Sequence, residues 1–130
     1  MKHCILTVIF VVCSFCASAQ NKQTNHVDLT TTIIEFLSRT ELCLNACQDA
    51  ASVQAAIPQL QELKKECDSI VETQKALPEP TVQDYMAVQQ HMEAFSTVWT
   101  AICNHIERLE EAGLMTPEMR KILFIAPPKQ

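Results

Sequence analysis

The chain has 130 residues, 48% of them hydrophobic and 19% charged, with a formal net charge of −5, seven cysteines and one glycine. That acidic balance offers no basic footprint for displacing counterions from phosphates, which excludes nucleic acid as a partner and disfavours anionic lipid headgroups. With Gly113 as the only glycine, phosphate-cradling loops, primed hairpin turns and the nucleophile elbow of the serine hydrolases are excluded, and helix remains.

Residues 1–19 read as a secretory signal peptide: MKH is a short basic start, CILTVIFVVCSFC an apolar run, and ASA before Gln20 a small-residue cleavage site. Cys13 follows Val12 and Cys16 follows Phe15, so the small residues that precede a lipidated cysteine are missing. The expected destination is secreted or periplasmic, with no membrane span after cleavage. Loss of Lys2 makes the mature chain one charge more negative. QNKQTNHV, residues 20–27, is polar and aperiodic and reads as a disordered lead-in.

From there Leu29, Ile33, Phe36, Thr40, Cys43 and Cys47 recur at steps of four and three, with Ile34, Leu37 and Leu44 widening the stripe. This spacing predicts a first helix over 28–48, capped by Asp28 or by Thr32 with Glu35. The second run, Val53, Ala56, Leu60, Leu63, Cys67, Ile70, Gln74 and Leu77, opens at Ser52 as N-cap. Pro58 is expected to kink or restart it, and LPEP at 77–80 ends it. Lys64, Lys65, Glu66, Asp68 and Glu72 lie off its seam as a solvated face of mixed sign.

Thr81, with Asp84 at the capping-box position, opens a third run of Tyr85, Val88, Met92, Phe95, Trp99, Ile102, Ile106 and Leu109, stopped by Gly113. Thr116-Pro117-Glu118 opens a short last helix to residue 124, followed by a tail over 125–130. The expected fold is all-α over 28–124: an up-down-up antiparallel three-helix bundle with a short fourth C-terminal helix.

In an oxidising compartment the four mature cysteines, Cys43, Cys47, Cys67 and Cys103, read as staples rather than reactive groups. Counting helical rise from the lower turn places Cys47 and Cys103 level, at about 32 and 33 Å, and ranks that pair first. Cys43 and Cys67 remain, about 11 Å apart in height, a gap that closes only if Pro58 shortens the second helix. A Cys43–Cys47 bond ranks last, because it leaves Cys67 and Cys103 about 18 Å apart. The rival reading is a zinc or Cu(I) site of four thiolates, although Cys67 and Cys103 lack paired knuckle spacing.

His91 and His105 lie about 21 Å apart along one helix, too far to share a metal, and read as surface residues beside the seam. No serine stands with a base and no carboxylate pair interrupts an apolar stripe, so no catalytic group is expected. Met86, Met92, Phe95 and Trp99 form a soft aromatic patch, read as core, or as a partner surface wherever it is exposed.

DAASVQAAIPQLQEL at 49–63, KALPEP, and the run from HMEAF to TPEMRKIL resemble segments of small exported bacterial helical proteins, a likeness covering residues 40–124. The same turn resembles exported four-helix b-type cytochromes, whose haem is held by a methionine on the first helix and a histidine on the last. Here the first helix has no methionine, the last no histidine, and no C-x-x-C-H occurs, so no haem or other cofactor is implied. The resulting expectation is an exported, disulfide-braced, non-catalytic interaction or structural module with a protein partner or a second copy of itself. Its alternatives are a carrier of metal or small ligand and a secreted helical signalling ligand.

Overall fold

The computed structural model describes residues 25–125. The expected leader, residues 20–24 of the lead-in and 126–130 of the tail lie outside the described residues. Within them the chain is all helical, with five helices and no strand: α1 (His26–Asn45), α2 (Ala50–Ala76), α3 (Val82–Gln89), α4 (Met92–Glu111) and α5 (Pro117–Ile122).

Local chemistry explains most helix ends. Asn25, not Asp28 or Thr32, caps α1, its side chain accepting from the Asp28 amide at 2.8 Å. At α2 the cap is Asp49, and Ser52 is its reciprocal partner at the third helical position, donating its amide to the carboxylate at 2.8 Å. Those bonds hold the Asp49 carboxyl below the usual carboxylate range. The Thr81–Asp84 box opens α3 and Thr116 caps α5, both as expected. Gly113, at φ +67, closes α4 in a Schellman motif, with Leu114 N donating to Leu109 O at 2.8 Å and Gly113 N to Glu110 O at 3.0 Å.

Pro58 neither ends nor restarts α2, which runs unbroken through it. Gln54 and Pro58 are both exposed, so the carbonyl deprived of its donor faces water. Meanwhile Val53, Ala56, Ile57, Leu60 and Leu63 bury one continuous stripe past the proline.

α1 is the common wall: α2 and α4 both pack along it, α3 touches it and α5 lies on α2. Leu44, Leu60, Leu109 and Met119, from four different helices, are the largest of the fully buried side chains. Along α1 and α2 the numbering runs oppositely, His26 Nε2 meeting Pro78 O at 2.9 Å and Arg39 pairing with Glu66. Along α1 and α4 it rises together, His105 meeting Glu41 and Arg108 meeting Leu44, each 64 positions apart.

The expected third long helix is two helices, separated at Gln90 and His91, and only Ile102, Ile106 and Leu109 of its apolar run are buried. No proline or glycine explains the break. The reason is tertiary: at an offset of 64, Gln90 stands level with His26, the first residue of α1. A straight continuation would run past the end of the wall it packs on.

Replacing Gly113 with Ala is expected to cost about 1–2 kcal/mol through the left-handed backbone alone, because an added Cβ meets nothing within 4 Å. Urea unfolding of both proteins measures the loss, and Gly113→Asn should recover part of it.

Candidate functional site

The polar centre of the molecule lies where α4 meets the C-terminal end of α1. Arg108 sends one guanidinium nitrogen to the Cys47 carbonyl at 2.9 Å and the other to the Leu44 carbonyl at 3.0 Å. Leu44 O also accepts from the Cys47 amide at 3.1 Å, so Arg108 is a further donor to it, Cys47 lies just past α1, and the cation sits at the negative end of the α1 dipole. One turn earlier on the same face, His105 Nε2 lies 2.8 Å from Glu41 Oε1, both side chains largely buried. His105 is thus paired rather than a bystander beside the seam. The only sequence signal was its i, i+3 spacing from Arg108.

The cysteines do not follow the expected scheme. All four are free thiols, so the Cys47–Cys103 and Cys43–Cys67 bridges are not formed. Register explains the correction. Since Glu41 is level with His105, Cys103 stands level with Arg39, about 12 Å below Cys47. The eight residues of α3 add no height along α1, although counting rise had credited them. Since Arg39 meets Glu66, Cys67 is level with Ser38, and an unbroken α2 leaves Cys43 about 8 Å higher.

Register instead brings Cys67 and Cys103 to one height, while Cys47 Sγ donates to the Cys43 carbonyl at 3.3 Å. These are the partners of the scheme that counting had ranked last. The rival four-thiolate metal site is not assembled either: among the described residues no three His, Cys, Asp or Glu side chains converge. Burial pushes every thiol above its ordinary range, Cys43 up to about 11 with help from neighbouring Cys47, whereas Arg108 partly offsets the rise at Cys47. Thiols held protonated are poor nucleophiles and poor ligands.

Beside α1 a cavity of about 80 Å³ opens between α2 and α4. α1 contributes Phe36, Leu37 and Thr40; α2 contributes Leu60, Leu63, Lys64 and Cys67. Trp99, Ile102 and Ile106 come from α4, and residues 122–125 complete the lining. Trp99 stacks on Phe95 with ring centroids 6.3 Å apart. The aromatic patch is therefore divided: Phe95 and Trp99 turn to the core, Met86 and Met92 to solvent.

No protein-family model, curated protein or solved structure matches this chain.

Arg108→Met should lower stability by about 2–3 kcal/mol, since charged hydrogen bonds to two buried carbonyls are lost. Arg108→Lys should restore less than half, having one point of donation where the fork has two. Denaturant midpoints measure both. Cys43 adds a pH dependence: its thiol ionises near 9.0 when unfolded but only at about 11 when folded. Its contribution is fully present below pH 9 and is lost as pH rises through about 11. The fall in urea midpoint across that window should be shallower in Cys43→Ala than in the parent.

Proposed function

We propose that the protein is an exported, non-catalytic interaction module, an up-down-up helical bundle whose α3 end engages a protein partner. The observation that carries this reading is α3 itself. It has no buried residue, and it displays Val82 at 75%, Tyr85 at 54% and Met86 at 65% exposure, with Met92 at 45% just beyond. An amphipathic helix gains its stability by covering its apolar face, and clustered large apolar side chains left in water mark a contact surface. Methionine, unbranched and polarisable, adapts to a partner's contours.

Charge narrows the partner. Between Lys75 and Arg108 the chain has no lysine or arginine, whereas Glu79, Asp84 and Glu93 flank the patch. An apolar surface rimmed by Lys and Arg complements it, and a second copy would bring like charges together. The absence of catalysis is supported by the protonated thiols and by the His105–Glu41 pair, which is closed onto Arg108. Export is supported by the leader pattern, and among the described residues no helix is long and apolar enough to cross a membrane.

A fluorescent amphipathic leucine–lysine peptide serves as probe, with a leucine–glutamate peptide as its control. The lysine peptide should bind and weaken with salt, and Val82→Ser with Met86→Ser should reduce its affinity about tenfold or more. Equal binding of the glutamate peptide, or indifference to the double substitution, would refute the patch. Intact mass of the exported chain should begin at Gln20; a mass beginning at Met1 removes the export premise.

A further inference from the structure

We infer that the cavity between α2 and α4 is a binding site for an unbranched alkyl carboxylate, with Lys64 receiving the head group. This goes beyond the α3 surface and uses none of its residues.

The lining dictates the body of the ligand. Leucine, isoleucine, phenylalanine and tryptophan side chains surround the space, and the polar exceptions offer an incoming group little. The Thr40 hydroxyl already donates to the Phe36 carbonyl at 3.0 Å, and burial keeps the Cys67 thiol protonated. A ligand carrying hydrogen-bonding groups along its length would leave them unmatched. Size limits how much enters: about 80 Å³, roughly half of the about 150 Å³ that accepts a benzene ring, encloses only part of an alkyl chain, and the remainder lies along the open mouth.

The rim dictates the head. Lys64 is the one charged residue in the lining, and its ammonium has no carboxylate at ion-pair distance among the described residues. Instead it stands 5.5 Å from the centroid of the Phe124 ring. Phe124 is itself unusual: a half-exposed aromatic at φ 56, a left-handed conformation that bulky residues avoid. Its backbone is held there by the Ile125 amide, which donates to the Arg120 carbonyl at 2.8 Å. That bond is the six-to-one bond of a Schellman-type end to α5, so Phe124 holds the left-handed position just past the helix and its ring is set beside Lys64. In the bound state the Lys64 ammonium exchanges the ring face for the ligand carboxylate, and the alkyl chain enters beneath Phe124.

Trp99 lines the cavity and is the only tryptophan, so its emission reports occupancy without a label. The intact protein is titrated with hexanoate, octanoate, octanol and octylamine below their micellar concentrations, with calorimetry in parallel. Octanoate should saturate and should bind no more weakly than hexanoate, with a gain per methylene below the about fourfold of full burial because the added carbons lie at the mouth. It should also outbind octanol, and octanol should outbind octylamine. Lys64→Gln, at the rim, should erase the difference between octanoate and octanol while leaving octanol binding in place. Cys67→Leu, which fills the space, should weaken every ligand at least tenfold. The inference is overturned if neither method detects saturation, if octylamine matches octanoate, if Lys64→Gln preserves the acid's advantage, or if Cys67→Leu binds like the parent.

Discussion

The fork of Arg108 on the carbonyls of Leu44 and Cys47, at and just past the end of α1, sets the relation from which much of the architecture follows. Two donors on a rigid plane, reaching Leu44 and Cys47, fix both the height and the rotation of α4 against α1, and His105 with Glu41 repeats the same offset one turn away. Apolar stripes alone tolerate sliding by a turn, because leucine and isoleucine faces look alike to one another. The polar contacts do not: a shifted register would take the Arg108 guanidinium off both carbonyls and leave it and the Glu41 carboxylate without these partners in a largely buried region.

Once that register is set, the lower end has no freedom to continue as before. α1 stops at His26, so the chain arriving from α2 must turn at Gln90 and His91 before α4 can climb. The eight residues before the turn become α3, which touches α1 but buries no residue and leaves Val82, Tyr85 and Met86 exposed. That exposed surface follows from a third run longer than the α1 wall on which it packs. The charged residues around it, Glu79, Asp84 and Glu93, are acidic. At the other side of the wall the same geometry holds α2 and α4 on α1 without filling the space between them, and residues 122–125 complete the lining of the resulting cavity.

The local signals were legible because they act within a few residues. Thr81 with Asp84, Thr116 before Pro117, and Gly113 after α4 each operate through bonds spanning one turn, and each works as its spacing suggests. Ser52 was half legible: its hydroxyl and amide do serve the start of α2, but as the partner of Asp49. Pro58 does not restart α2, because a lost hydrogen bond matters little where water can replace it. The cysteine scheme misled for a different reason. Rise per residue converts sequence to height only while a helix keeps to one axis, and α3 does not share the axis of α4. The cavity was invisible for a similar reason, since Lys64 reads as one more charge on a solvated face until the C-terminal residues arrive beside it.

By itself the sequence determined the helical class, the stripes that make the core, most of the caps and the acidic character of the surface, because these depend on periodicity, side-chain chemistry and composition over short spans. Only the tertiary structure decided how α4 is registered on α1, where the third run breaks, which thiols stand level and what space remains beside Trp99. Those features depend on distances between segments more than fifty residues apart, and no repeat or motif along the chain encodes such distances. They are fixed when buried polar groups, Arg108 foremost, find the one alignment in which each has a partner.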